Sequence, residues 1–239
     1  MRTSRRVAAA AAGSALAVVA SVAVTASAAT AASTTATTTT TAMSATTTAA
    51  SHHRCHHLGT RSLAQVLLAD KSGFDKNGKD FDILTAAVKA VLAAKPTSAV
   101  GVLANGKVAL TAFIPTDTAF RRLVRDLTGK SPAKEQDVFK AVASLGIPTV
   151  EKVLLYHVVP GRTITAKQAS HSNGAWLKTA EGAHIKVRVV HGRIYLQDKD
   201  PNSRNPRVVA GDINKGNRQI AHAINRVLRP VDLPPVASH

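Results

Sequence analysis

The first 57 residues of this chain differ so strongly from the rest that only the remainder can build a compact domain. Arg2, Arg5 and Arg6 precede an apolar run from Val7 to about Val24, which is followed by Ala26-Ser27-Ala28. This order of basic, apolar and small residues is typical of a signal peptide. We therefore expect residues 1–28 to direct secretion. No second apolar stretch is long enough to predict a membrane span.

Residues 29–57 are predicted to form a flexible stalk. Up to residue 51 they are almost entirely Thr, Ala and Ser, a composition that cannot bury a core. The stalk ends in the run HHRCHH, whose imidazoles and thiol suit copper, zinc or nickel. The candidate metal ligands are His52, His53, Cys55, His56 and His57. The alternative is a cluster without fixed geometry, with Cys55 free or in an intermolecular disulfide.

Residues 58–233 are the predicted domain, and residues 234–239 a flexible tail. Cys55 is the only cysteine, so packing alone must hold the domain together. The formal net charge of +17 favours anionic partners. Aromatic residues make up only 3% of the chain, whereas proteins that bind single-stranded nucleic acid usually stack bases on such side chains. Nucleic acid is therefore not an expected partner.

The spacing of apolar residues changes from a helical to a strand period along the domain. Phe81, Leu84, Val88 and Val91 recur at helical spacing, and Val108–Ile114 reads as a buried strand that Pro115 stops. Helices are predicted after the caps Thr116 and Thr149, and a further helix is predicted to begin at Ser131-Pro132 with Pro132 as its first residue. From Gly174 the period is two, with further strands near residues 207–213 and 218–224. This order predicts a mainly antiparallel sheet structure with helices attached.

The predicted hairpin around His191-Gly192 has one apolar and one basic face. Ile185, Val187 and Val189 alternate with Lys186 and Arg188, and Arg193 lies on the matching outer face of the next strand. Lys178 joins them if Trp176 and Lys178 point outward on a neighbouring strand. The candidate polyanion-binding residues are Lys178, Lys186, Arg188 and Arg193. The alternative is a solvated sheet face in a protein that is basic throughout.

Three segments resemble the two homology boxes and the central Tyr-His motif of fasciclin (FAS1) domains. They are TAFIPTDTAF at residues 111–120, LLYHVVPG at 154–161 and QIAHAINRVLRP at 219–230. The resemblance implies a mainly β fold with helices, a wedge-shaped β-sandwich of about seven short strands with a helical layer. The structural motif residues that it marks are Thr111, Pro115, Thr116, Phe120, His222 and Asn225. Asn225 stands where the family usually has Asp, and Arg218-Gln219 where it commonly has Asn-Gly.

The resemblance also implies a secreted or surface-attached adhesion module that is not an enzyme. The motif linked to integrin binding in animal members falls on Tyr156 and His157. His157 shares a helical face with Val150 and Leu154, and His222 shares a strand face with Ile220 and Ile224. We therefore expect both histidines to be buried and hydrogen bonded, with Tyr156 displaced toward the helix edge.

Motifs for catalysis and cofactor binding are missing from the predicted domain, so no catalytic residue and no cofactor is expected. Gly101–Lys107 lacks the Ser or Thr of a phosphate-binding loop, and Asp198–Asn202 lacks the glycine and glutamate of a calcium loop. Two functions stay open. One is an adhesion module that docks an anionic cell-wall or matrix polymer or a surface protein. The other is an extracellular carrier of a small, lipid-like ligand in an apolar pocket.

Overall fold

The computed structural model describes residues 57–231 of the chain. The predicted signal peptide, the stalk up to residue 56, the last two residues of the predicted domain and the tail at residues 234–239 lie outside this range, and so do His52, His53, Cys55 and His56. The predictions made for them stay predictions. His57, the last of the candidate metal ligands, is exposed.

Helices dominate the first part of the domain. They are α1 (Leu63–Leu67), α2 (Asp82–Ala94), a 3-10 helix (Ala99–Ala104), α3 (Asp117–Thr128), α4 (Glu135–Ala143), α5 (Ile147–Tyr156) and α6 (Ala166–Ser170). Two predicted helix starts are wrong. Helix α4 begins after Lys134 rather than at Pro132. Helix α5 begins after Gly146, whose φ of 84° a side chain would disfavour, so Thr149 lies inside that helix and does not cap it.

The strands form two sheets. They are β1 (Leu110–Pro115), β2 (Val158–Pro160), β3 (Trp176–Lys178), β4 (His184–Val190), β5 (Arg193–Gln197), β6 (Val208–Ile213) and β7 (Gln219–Ile224). The first sheet has the order β2-β1-β7-β6, and the second has the order β3-β4-β5. Only β1 and β7 pair in parallel, so the predicted mainly antiparallel arrangement is confirmed among the described residues.

The core lies on both sides of the central pair β1 and β7. Helices α2 to α5 cover one side, where Val91, Phe120 and Leu154 pack with Leu110 and Ala112. The other side faces the second sheet, and that cluster is formed by Phe113, Tyr156, Ile185, Leu196 and Ile224 among others. Because β1 and β7 are covered on both faces, every residue in them is buried, as the unbroken apolar run in β1 predicts. Two packed sheets with a helical layer are the predicted fasciclin-like sandwich.

Strands β4 and β5 are covered on one face only. Their buried positions alternate with exposed or half-buried ones, so one face packs into the core and the other meets solvent. This alternation places the candidate basic residues on the outside of the molecule.

Candidate polyanion-binding surface

The four candidate cations lie on the outer face of the second sheet, and we call this set the basic face: Lys178, Lys186, Arg188 and Arg193. The register sets Trp176 opposite Lys186, Lys178 opposite His184, Arg188 opposite Tyr195 and Val190 opposite Arg193. Directly paired residues of antiparallel strands point to the same side of the sheet, so these side chains share one surface. The buried Ile185, Val187 and Leu196 point the other way.

Trp176 is the most prominent side chain of this surface. Its side chain is 61% exposed, although a ring of this size usually buries most of its area. The Lys186 Nζ atom lies 5.2 Å from the centroid of the Trp176 ring, within the range of a cation–π contact. The ring therefore stabilises the position of Lys186. It does not neutralise the charge of Lys186 or of the other three cations of the basic face.

A second group of cations lines a concave site beside the basic face. This site, which we call the arginine pocket, has a volume of about 700 Å³. Its cationic lining residues are Arg122, Arg125, Arg204, Arg207 and Arg226. Tyr195 links it to the basic face, because this residue pairs with Arg188 on one side and forms a bridge to Arg207 on the other. Sequence reasoning missed the pocket.

Asn225 holds two sides of the arginine pocket together. Its side-chain Oδ1 accepts the Arg207 backbone N–H at 2.8 Å, and its carbonyl oxygen accepts a hydrogen bond from Arg122 Nη1 at 2.7 Å. Arg226 and Arg229 share the carboxylate of Asp126, at 3.0 and 2.8 Å. Burial, and then the neighbouring charges of Arg226, Arg125 and Arg207, lowers the pKa of Arg122. The pocket is therefore strongly cationic.

Tyr156 and His157 lie beneath the surface. Tyr156 is fully buried rather than displaced toward the helix edge, because this last residue of α5 packs into the apolar cluster between the two sheets. Its hydroxyl donates to the carbonyl oxygen of His184 at 3.1 Å, and burial raises the pKa of Tyr156 above its ordinary value. Tyr156 thus holds the first residue of the strand that carries Lys186 and Arg188.

Both predicted buried histidines are confirmed as buried and hydrogen bonded. His157 Nδ1 lies 2.7 Å from the Val153 carbonyl oxygen, and its Nε2 accepts the Leu228 N–H at 2.9 Å. His222 Nε2 lies 2.8 Å from the Ile164 carbonyl oxygen, and its Nδ1 accepts the Asp212 N–H at 3.2 Å. Each ring therefore joins two backbone segments. The role of the Tyr-His pair in adhesion stays a prediction.

The remaining motif residues have structural contacts. The Thr111 hydroxyl donates to the Arg162 carbonyl oxygen at 2.7 Å and accepts the Ile164 N–H at 2.8 Å. Pro115 ends β1, and Phe120 is buried in the helical core. Thr116 stands at the N-terminal cap of α3 as predicted, but its side chain forms no capping hydrogen bond.

Carboxylates converge where α2, α3 and α4 begin, a feature that sequence reasoning also missed. Asp80, Asp82 and Asp117 form one group, and Asp75, Asp82 and Glu135 form another; within each group the oxygens lie within 4.8 Å of one another, close enough to share a cation. Asp117 accepts the N–H groups of Asp82 and Ile83 and so caps α2. Burial raises the pKa of Asp82 to about 6 and that of Asp117 to about 8.

Two apolar concavities bear on the prediction of a ligand carrier. An internal cavity between α1, α2 and β1 has a volume of about 60 Å³, room for a water molecule or two rather than for a lipid. An open groove of about 410 Å³ runs along α3, α5 and the last described residues, lined by Leu127, Leu145 and Val231 among others. The deep pocket that a carrier would need is therefore not seen in the described part of the chain.

The comparisons with known proteins match most of the part of the chain that the structure describes. The family model of the fasciclin domain matches residues 80–230. Among solved structures, the chain is similar to a FAS1 domain pair from the insect cell adhesion molecule Fasciclin I, with 18% identity and a TM-score of 0.48 over 72% of this chain. The chain spans about half of that structure, 51% of its length. No curated protein matches significantly. Among residues 57–231, no helix is both long and apolar enough to cross a membrane.

Proposed function

This chain belongs to the fasciclin domain family, and from that premise we propose that it is an exported, non-catalytic module that docks on anionic polymers of a cell surface or matrix. Fasciclin domains generally act as extracellular adhesion or interaction modules. The observation that carries the proposal is the basic face, with its exposed Trp176. None of its four cations forms an ion pair with a carboxylate of residues 57–231.

The cost of gathering these cations supports a polyanionic partner. No two of them are directly opposite, but Lys178 and Lys186 are diagonal neighbours on adjacent strands, and so are Arg188 and Arg193. Diagonal neighbours lie about 7–8 Å apart, a distance at which unpaired like charges still repel each other. A polymer that carries regularly spaced anions would relieve this repulsion along the whole face and bind at several points. Exposed contacts of this kind are screened over about 8 Å at physiological ionic strength, so binding should weaken steeply as salt rises.

The other candidate functions have less support. The convergent carboxylates Asp82, Asp117 and Glu135 are buried, and hydrogen bonds to Asp117 and Glu135 hold them against the backbone and Arg121. An open concavity of about 230 Å³ lies beside them, but of the three only Asp82 lines it. A small-ligand carrier usually needs a pocket of about 300–1,000 Å³ that encloses most of the ligand. The internal cavity of about 60 Å³ is far below that range. The apolar groove of about 410 Å³ is within it, but this groove is open to solvent and would enclose a ligand less completely. Polymer docking is therefore the function that the geometry supports best.

The test is retention on an anionic polysaccharide. We expect the variant Lys186→Gln/Arg188→Gln/Arg193→Gln to elute from immobilised polygalacturonate at clearly lower salt than the wild type. The matched control is Lys71→Gln/Lys76→Gln/Lys89→Gln, which removes the same charge from exposed positions before and on α2. Equal elution of the two variants, with both folded by circular dichroism, would show that net charge alone accounts for retention.

A further inference from the structure

We propose that the arginine pocket is a binding site for a phosphate group, carried by a phosphate-bearing polyanion that also lies on the basic face. The inference names the anionic group within the proposed docking function and rests on that function for its biological meaning. Binding of phosphate in the pocket can nevertheless be measured by itself.

Three separate parts of the chain supply the cations. Arg122 and Arg125 lie on α3, Arg204 and Arg207 precede β6, and Arg226 follows β7. They surround a concavity of about 700 Å³, which is within the usual size of sites for small ligands. Because helix, loop and strand end meet at this open concavity, a bound group would be contacted by three separate segments of the chain.

The residue type points to an oxyanion. Lysine and arginine together number 31, about evenly divided, yet every cation that lines this pocket is arginine. The planar guanidinium presents paired N–H donors that match two oxygens of a phosphate or carboxylate. Tyr195 and Asn225 add hydroxyl and amide groups to the same lining.

The balance of charge favours a phosphate over a single carboxylate. Asp126 is the carboxylate that reaches these cations, and it binds Arg226 together with Arg229. Arg122, Arg125, Arg204 and Arg207 form no ion pair with any carboxylate in the described range. A carboxylate offers two oxygens and a charge of −1, whereas a phosphate offers more oxygens and a charge of up to about −2, which suits the four arginines that have no carboxylate partner.

The position of the pocket suggests that the phosphate belongs to a polymer. Tyr195 pairs with Arg188 of the basic face and with Arg207 of the pocket, so the three residues form a row across adjacent strands. Neighbouring strands are about 4.8 Å apart, which puts the two sites roughly 10 Å from each other. A chain with repeating phosphates could occupy both at once.

Asn225 offers a test that leaves the fold intact. The variant Asn225→Asp keeps an oxygen to accept the Arg207 N–H and adds one negative charge inside the pocket. Asn173→Asp is the matched control, because the Asn173 Oδ1 atom likewise accepts a backbone N–H, that of Val189 at 2.9 Å, outside the pocket. Calorimetry of the full chain with inorganic phosphate and with polyphosphate gives the affinities.

We expect Asn225→Asp to weaken both phosphate ligands at least about tenfold, and Asn173→Asp to leave inorganic phosphate binding near the wild-type value. Polygalacturonate, which carries only carboxylates, should respond much less to Asn225→Asp. A wild type that binds no phosphate would overturn the inference, and so would equal losses for carboxylate and phosphate polymers. The triple variant of the basic face should still bind inorganic phosphate. If it also keeps wild-type retention on polymers, the docking proposal fails while the phosphate site stands.

Discussion

At the scale of single residues, two buried histidines each connect two backbone segments by hydrogen bonds, and these backbone groups determine the protonation state of each ring. In His157 the Nε2 atom accepts an N–H group, so the ring proton must sit on Nδ1, where it is donated to the Val153 carbonyl oxygen. A second proton would face the Leu228 N–H and lose that bond. Burial accordingly lowers the pKa of His157 to about 4. His222 repeats the arrangement with the two ring nitrogens exchanged.

These hydrogen bonds predict how His157 contributes to stability. Substitution of His157 by Ala leaves the Leu228 N–H unpaired in the core, and we expect it to lower the free energy of unfolding by about 3 kcal/mol at pH 7. Because the folded pKa lies below the unfolded value of about 6.5, this contribution is complete above that pH and is lost as the pH falls toward 4. Urea unfolding at pH 7 and 4.5 should therefore show a smaller loss at the lower pH. His171→Ala, at an exposed site, is the control, and a loss independent of pH would contradict the lowered pKa of His157 in the folded state.

At the scale of elements, the spacing of apolar residues and the residues that end an element, such as Pro115, could predict several strands. The β4–β5 hairpin follows from alternation at residues 184–197, and β1 follows from an apolar run that ends at Pro115. Strand β2 was missed, because Val158 and Val159 continue the apolar sequence of α5 and only pairing with β1 makes them a strand. Alternation shows which face is polar. It does not show which polar faces meet.

The same limit explains the missed sites. Arg122 and Arg226 are about a hundred positions apart, and Asp75 and Glu135 are separated by the whole of α2, β1 and α3. Only the packed helices and sheets bring them together. The basic face was accessible to sequence reasoning because three of its four cations lie on one hairpin and the fourth on the preceding strand, where local spacing decides the geometry. Sites made from distant segments carry no such local signal.

The contact between the first described segment and the turn before β1 yields a prediction for that element. A Cβ atom at Gly106 would overlap the Thr60 carbonyl oxygen and lie 2.6 Å from its carbonyl carbon. Gly106→Ala must therefore displace the segment that pairs Gly59 with Gly216 and Arg218. We expect faster hydrogen exchange of the backbone amides in residues 59–67. We also expect the free energy of unfolding to fall by about 2 kcal/mol.

Gly101→Ala is the control for this substitution, since the nearest atom to a Cβ there is Leu92 Cδ2 at 3.9 Å. It should leave exchange in residues 59–67 unchanged. Equal behaviour of the two variants would show that the close approach does not determine how the segment is held. Gly106 belongs to the segment Gly101–Lys107, which looks similar to a phosphate-binding loop. The close approach of the Thr60 backbone explains why glycine stands at position 106, so no bound phosphate is needed to explain it.

At the scale of the whole molecule, the charges are segregated. In a chain with only 14 acidic residues, Asp75, Asp80, Asp82, Asp117 and Glu135 gather where three helices begin, while cations occupy the outer sheet and the arginine pocket. The excess of cations on the outer sheet and in the pocket is the charge that the proposed docking of anionic polymers requires. The five clustered carboxylates repel each other unless other parts of the protein neutralise them. The N-termini of the three helices do so in part.

Protons complete the neutralisation, and this gives a prediction for the stability of the whole domain. Burial holds the pKa of Asp82 near 6 and that of Asp117 near 8, both above the ordinary 3.8, so the folded state binds protons that the unfolded chain has released. Their stabilising effect is complete below pH 3.8 and declines as the pH rises through 6 to 8. Asp82→Asn fixes the neutral form and offers an amide donor to Asp80 and Asp117. We therefore expect it to raise the melting temperature by roughly 3–6 °C at pH 8 and by about half as much at pH 5, where Asp82 is protonated in the folded state but ionised in the unfolded chain. Asp137→Asn, at an exposed position, should show no such difference between the two pH values.

A wild type that is equally stabilised at pH 8 by millimolar calcium, with the effect lost in Asp82→Asn, would show instead that a divalent cation neutralises the cluster.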